Sequence, residues 1–283
     1  MNVLVIGATG LIGSAMFKTL TQSDRFRVTG VVRSAENFVK IKDYLSGRLI
    51  ECTNLLDPKE QDLILEKVDP EVVINCAGIT KHEIHKHDVE SVLELNSNFP
   101  HAMSTLCQTH SRRFIQISTD CVFLGDRGRY TEDCEPDAVD LYGRSKITGE
   151  VAGPGILTLR TSTIGHEIKT KNGLLEWFLS QRICAGFTRA IFSGLPSNVF
   201  ARVVRDYVMP HNNLSGLYHV GGPSISKYDL LKTINRVYDA GIEIIPDATF
   251  VIDRSLDCEL FRRETGYIAP AWDDLVRDMH SMQ

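Results

Sequence analysis

Along the first 160 positions, short β-branched and aliphatic runs alternate with segments whose apolar residues recur every three or four places. The runs predict strands over 2–7 ("NVLVIG"), 26–33, 48–54, 71–78, 113–120 and 155–162. The periodic segments predict helices over 11–23, 58–68 and 89–110, and a further helix carrying positions 142–146. Pro58 suits the first turn of its helix, and Pro100 predicts a kink or break inside 89–110. Strands that alternate with helices imply a parallel sheet covered on both faces.

The pattern loosens after Ser162. Segments 172–186 and 197–211 read as helices, 216–223 as a strand ending in a glycine turn, and 242–247 as a short strand. Between the last two, 226–241 is an amphipathic helix with Ser226 as N-cap and Gly241 at its end. The fold class predicted is α/β: a Rossmann-like, doubly wound parallel sheet over 1–165, then a smaller α/β substrate-binding region over 166–283. The strand at 216–222 is free to return to the main sheet. No repeat, linker or low-complexity tract interrupts the chain.

Composition narrows the function classes. The chain has 283 residues, 43% hydrophobic and 24% charged, which is ordinary for a globular protein. A net charge of -5 gives no basic footprint for nucleic acid. The seven cysteines include no C-x-x-C pair, which suits reduced thiols rather than a disulfide framework. No apolar run approaches the roughly 20 residues of a membrane span, and "MNVLVIGATG" reads as a buried strand rather than a leader. A cytoplasmic protein without membrane or nucleic-acid partners is expected.

The loop "GATGLIG" places Gly7, Gly10 and Gly13 between the first strand and first helix. Glycines at that spacing allow a tight turn and close approach of a pyrophosphate to the helix amides. Thr9, Leu11 and Ile12 share the loop and are expected at the same ligand. Where NAD-preferring sites carry an acidic residue after the second strand, this chain has Arg33 and Ser34; a guanidinium there suits the 2′-phosphate of NADP. Glu36 nearby acts against that preference. Asn54 and Leu55 after the third strand, and Asn75, Cys76, Ala77 and Gly78 after the fourth, sit where the sheet's carboxyl edge meets adenine and ribose; ordinary turn chemistry is the bland reading of these positions.

Chemistry concentrates in "DLYGRSKITGE", residues 140–150. Tyr142 and Lys146 lie one helical turn apart on one face. An ammonium beside a phenol is expected to lower the phenol's pKa and fit it to exchange a proton with a carbonyl or alcohol oxygen. A surface pair between Lys146 and Glu150 is the bland alternative. In "KHEIHKHD", His82, His85 and His87 are spaced poorly for a metal and flanked by Lys81 and Lys86; no metal is assigned.

Taken in order, "GATGLIG", "NCAG", "ISTDCVF" and "YGRSK" resemble the extended short-chain dehydrogenase/reductase family. The run from "STDCVF" to "LRTS" is most similar to the dTDP-4-dehydrorhamnose reductase branch. The resemblance covers the first 165 residues well and the rest loosely. It implies NADPH-dependent reduction of a nucleotide-linked 4-keto-6-deoxy sugar, with NAD as the alternative cofactor and a homodimer compatible with the family. It puts the catalytic roles on Thr119, Tyr142 and Lys146, with Ser118 adjacent at the cofactor and Asn96 supporting the lysine. It puts Arg254 and Arg202 near the nucleotide diphosphate, and Thr80, Lys81 and Cys121 near the sugar. Cys121 replaces a frequent aromatic residue, and Thr163 and Ile164 follow "RTS" where tryptophan is frequent. These departures leave a different sugar open, such as a UDP-linked N-acetylamino-4-keto-6-deoxy hexose. A nucleotide-sugar 4-epimerase holding NAD, and a non-catalytic regulatory subunit such as the β subunit of methionine adenosyltransferase, are the competing functions.

Overall fold

A computed structural model describes residues 1–34, 47–168 and 172–281. Seven parallel strands form the central sheet. In chain order the first six are β1 (Asn2–Ile6), β2 (Arg27–Val32), β3 (Arg48–Glu51), β4 (Val72–Asn75), β5 (Arg113–Thr119) and β6 (Ile156–Thr161). Spatially the order is Gly216–His219, β6, β5, β4, β1, β2, β3. The strand Gly216–His219 thus does return to the main sheet, pairing Gly216 with Leu157 and His219 with Arg160. Order reverses between β1 and β4, and ligands of such sheets bind at the carboxyl ends of strands flanking that switch.

The strands read as continuous apolar runs because both faces are covered. On one face Val3, Val5, Ile74, Ile115 and Leu157 pack with α1 (Leu11–Thr21) and the helices Ser197–Val203, Lys227–Val237 and Trp272–His280. On the other, Leu4, Ile6, Val73 and Phe114 meet Pro58–Val68 and Phe99–Thr109. Each fully buried Leu, Ile or Phe contributes about 1.5–3 kcal/mol of transfer free energy.

Two expectations from periodicity are corrected. Segment 172–186 is not one helix: Leu174–Leu179 is helical, and Ile183 opens the ten-residue strand Ile183–Phe192. That strand pairs in parallel with Glu243–Asp253, which runs well past the predicted 242–247. Pairing with a partner some 60 residues away overrode the local apolar spacing. Segment 89–110 neither breaks nor kinks cleanly at Pro100. The helix passes through a π turn, Glu94–Asn98, in which the Phe99 amide reaches back to the Glu94 carbonyl. Pro100 has no amide to offer Asn96, so an α-ladder could not be completed here, and the wider turn absorbs the defect.

The π turn docks the helix Leu141–Thr148. Asn96 donates through Nδ2 to Ser145 Oγ (3.0 Å), and Ser97 Oγ donates to the Ser145 carbonyl (2.9 Å). Gly149 then passes against the Asn96 carbonyl, where a Cβ would come within 1.9 Å of the oxygen. Gly149→Ala is therefore expected to cost about 2–3 kcal/mol through overpacking against backbone. Thermal denaturation followed by circular dichroism should show a Tm several degrees lower; an unchanged Tm would mean that the two segments separate easily.

Candidate active site

The glycine loop follows β1 and faces the residues after β4. Gly7 takes a φ of 77°, and a Cβ on it would lie 2.7 Å from the Ala77 amide nitrogen. A Cβ on Gly13 would lie 2.0 Å from the Gly7 carbonyl, so Gly13 lets α1 sit down on the turn. Gly10 differs: the nearest atom to its missing Cβ is 3.6 Å away, so space lies open over the loop. Gly10 also caps α1 and contributes no side-chain bond to the first amides. Thr9, Leu11 and Ile12 keep partial exposure around that opening. An open cradle at an uncapped helix N-terminus fits a dinucleotide's pyrophosphate.

Arg33 stands exposed just past β2, beside the loop, since the Ala8 amide bonds the Val31 carbonyl (3.3 Å). Ser34 follows it, and Glu36 lies outside the described residues. Asn54 serves its own turn, its Oδ1 accepting from the Leu56 amide, while Leu55 accepts from Gln61 Nε2. After β4, Asn75 Oδ1 accepts from the Ala77 amide and shapes the turn under the glycine loop. Burial pushes the Cys76 thiol up to about 12. Gly78 sits against Asn96, whose side chain brackets Ile79, accepting from its amide (2.8 Å) and donating to its carbonyl (2.9 Å). That bracket holds the loop leading to Thr80, which is exposed.

β5 and the helix Leu141–Thr148 bring the reactive groups together. Asp140 caps the helix by accepting from the Gly143 amide (2.8 Å), and its other oxygen meets Lys81 Nζ at 3.0 Å. Gly143 lets the helix approach the Cys121 carbonyl, which would lie 2.5 Å from a Cβ. Thr119 Oγ1 donates to Asp120 (3.2 Å) and accepts from the Cys121 amide (3.1 Å), and it stands near enough to Tyr142 to ease ionisation of the phenol. Lys146 is 7% exposed and donates to the Ile117 carbonyl at 2.9 Å. Ser118, between those two β5 residues, donates to Glu150 at 2.6 Å; its hydroxyl is taken by that carboxylate instead of facing a cofactor. Glu150 in turn is chelated by Arg160 through Nε and Nη2, both at 2.7 Å. The surface Lys146–Glu150 pair of the bland reading is not what forms.

The phenol does not behave as the spacing alone predicts. Burial pushes the Tyr142 pKa up, and Cys121, Asp120 and Asp140 push it the same way; only Thr119 acts against them. A buried phenolate beside two carboxylates is unfavourable, and Lys146 spends its hydrogen bond on the Ile117 carbonyl. Burial lowers the Lys146 pKa to about 8, with Glu150 and then Cys76 holding it from falling further. Near neutrality the pair is a protonated phenol and an ammonium.

Three groups at the mouth were not found from sequence. Asp120 is buried, and burial raises its pKa; Arg254 counters first, then Thr119, Lys227 and Ser162. Lys227, lowered by burial and supported by Asp120, opens the helix Lys227–Val237 and stands 5.9 Å over the Phe192 ring. Ser162 follows β6. Only tertiary packing joins these positions. Arg254 belongs with them: its Nε donates to the Phe123 carbonyl (2.7 Å), and its Nη1 is 3.7 Å from Cys121 Sγ. Arg202 is a correction, because its guanidinium pairs with Asp278 on the final helix and is not gathered here.

A parallel sheet switching order at the glycine loop, with Tyr-x-x-x-Lys packed on β5, defines an extended short-chain dehydrogenase/reductase architecture. The family model for the RmlD substrate binding domain matches residues 1–183, and the chain belongs to that family. Among its relatives is the probable low-salt glycan biosynthesis reductase Agl14 of Haloferax volcanii, 30% identical over 235 residues, covering 79% of this chain and 75% of that protein. The methionine adenosyltransferase 2 subunit beta of Danio rerio is 28% identical over 245 residues, covering 81% and 71%. The dTDP-4-dehydrorhamnose reductase of Bacillus anthracis, solved with NADP, superposes with a TM-score of 0.81 at 20% identity over 99% of this chain and 98% of that one. Among the described residues no helix is long and apolar enough to cross a membrane.

The buried ammonium sets a testable stability balance. With its folded value lowered from 10.5 to about 8, Lys146 costs stability below about pH 8, and the cost is relieved as pH rises toward 10.5. Lys146→Met removes that cost and loses one hydrogen bond. It should raise the stability of dinucleotide-free protein by about 1 kcal/mol at pH 7, the gain fading as pH rises from about 8 to 10.5. Tm measured against pH checks this; a lower Tm at pH 7 would contradict it.

Proposed function

We propose that the protein is a reductase of the 4-keto group of a nucleotide-activated 4-keto-6-deoxy sugar, using NADPH. The observation that carries the reading is the trio on β5 and its helix: a Tyr142 phenol held protonated beside Thr119, with the Lys146 ammonium buried one turn on and bonded to the Ile117 carbonyl. The glycine cradle and Arg33 are the dinucleotide's binding groups, and a nicotinamide cofactor bound there supplies hydride to the carbonyl carbon. Tyr142 gives its proton to the carbonyl oxygen as charge develops on it. Thr119 donates a hydrogen bond to the same oxygen. Lys146 holds the nicotinamide ribose and offsets the charge left on the phenol. A phenol that keeps its proton suits the reducing direction near neutrality. Lys227, Arg254 and Lys81 line the mouth and favour an anionic diphosphate, with Asp120 for the sugar hydroxyls.

The relatedness to methionine adenosyltransferase subunits supports a second reading, a non-catalytic regulatory chain of the same family. An epimerase holding NAD is disfavoured by Arg33, where an acid would hold the ribose 2′-hydroxyl.

NADPH oxidation with dTDP- and UDP-linked 4-keto-6-deoxy sugars generated in situ tests the main reading. Rapid oxidation with one nucleotide is expected, and Tyr142→Phe should lower kcat by about 10²–10⁴-fold while NADPH still binds. Full activity in that variant would overturn the phenol's role. No oxidation of either sugar by protein that binds NADPH would favour the regulatory chain. Arg33→Ala should raise the KM for NADPH about tenfold or more and leave that for NADH nearly unchanged. Equal losses for both would remove Arg33 from the 2′-phosphate.

A further inference from the structure

The loop that follows β5 closes on a single phenol. Tyr130 is 1% exposed, and its ring stacks on Phe123 with centroids 4.0 Å and planes 9° apart. Its Oη accepts from three successive amides, those of Gly125 (3.1 Å), Asp126 (3.1 Å) and Arg127 (3.3 Å), and donates to Asp126 Oδ1 (2.8 Å). Successive amides turned onto one point form a nest that commonly holds an anion. Here the chain fills the nest with its own phenol, which fixes 125–130 as one piece. Neither hydride transfer nor cofactor binding calls for such a construction.

That piece is moulded around Arg254. Asp253, before it, donates its amide to the Gly125 carbonyl (2.8 Å). Ser255, after it, accepts from the Arg129 amide through Oγ (2.8 Å) and from the Tyr130 amide through its carbonyl (2.9 Å). Between these clamps the Arg254 stem crosses Gly125, where a Cβ would lie 2.8 Å from the arginine Cγ. Gly125 has a φ of 89°, so glycine supplies both the turn and the space. The guanidinium is aimed from the same loop: Nε donates to the Phe123 carbonyl (2.7 Å), and Nη1 reaches Cys121 Sγ (3.7 Å), two residues beyond Thr119. Nη2 has no hydrogen-bond partner among the described residues. An arginine loses rotamer freedom when it grips a ligand, and a stem already held has made that loss before the ligand arrives.

We infer that Tyr130 is a positioning residue: through the loop it closes, it holds Arg254 with one guanidinium nitrogen free for the diphosphate of the substrate. This rests on the reading of Arg254 as a binding group for that diphosphate. Tyr130 is itself buried and acts only through the loop.

Calorimetric titration of the full-length protein with dTDP and with UDP tests this without turnover. Arg254→Met should weaken binding of the preferred diphosphate about tenfold or more. Tyr130→Phe keeps the ring but leaves three amides without their acceptor, and should weaken it about fivefold to tenfold. The double variant Tyr130→Phe/Arg254→Met should bind no more weakly than Arg254→Met alone, because the phenol acts only through the guanidinium. Asp126→Ala removes the phenol's acceptor from a mostly exposed position and should cost about threefold. It takes the place of Tyr130→Phe in both comparisons should that variant not fold. NADPH affinity should stay within about twofold throughout, and in turnover the KM for the sugar nucleotide should rise with kcat falling far less, a split that general loosening would not give. Additive losses in the double variant, an unchanged diphosphate affinity in the loop variant, or an equal loss of NADPH affinity would overturn the inference. A parent that binds neither diphosphate, or no loss in Arg254→Met, would overturn it together with the role given to Arg254. The expected binding pattern without any NADPH oxidation would count against the reductase reading alone.

Discussion

The site depends on one costly placement: the Lys146 ammonium, almost wholly out of water, on the Ile117 carbonyl. A lone buried ammonium tends to lose its proton. Here the cost is offset by the Ile117 carbonyl and by a helix docked through Asn96 and Ser97. The parts of the fold that look incidental serve this placement. Pro100 and the π turn present Asn96 and Ser97 to the helix, Gly143 and Gly149 remove the Cβ atoms that would hold it off, and Asp140 fixes its start.

The same packing sets the reactivity of Tyr142. Burial beside Asp120 and Asp140 opposes phenolate more strongly than a lysine one turn away can favour it. The group therefore keeps its proton near neutrality, which under the proposed function suits it to donate that proton rather than act as a phenolate base. Thr119 is the one neighbour that eases ionisation of the phenol.

Much of this is legible in the sequence where spacing alone determines geometry. Tyr142 and Lys146 share a face because they are four apart, and Gly7, Gly10 and Gly13 mark a turn between strand and helix. Continuous apolar strands announce a sheet covered on both sides. Legibility ends where distant segments meet. The start of strand Ile183–Phe192, up to Gly186, reads as helix until Glu243–Asp253 pairs with it. Lys227 looks like a surface lysine opening an amphipathic helix until Asp120 and Arg254 come beside it. Arg202 looks as suitable as Arg254, and only the last helix, through Asp278, takes it elsewhere. The direction of the Tyr142 shift belongs to the same class, because the spacing supplies the lysine but only the packed structure supplies the burial.

The central claim, that this unit delivers hydride and proton to a sugar carbonyl, is tested most directly by isotope transfer. A single turnover with NADPH deuterated on the transferred face of nicotinamide C4 should place one deuterium at C4 of the sugar product, read by NMR. Deuterium retained in a bound and unoxidised cofactor, with every keto sugar recovered unchanged, would contradict the account and make the site a relic within a regulatory chain.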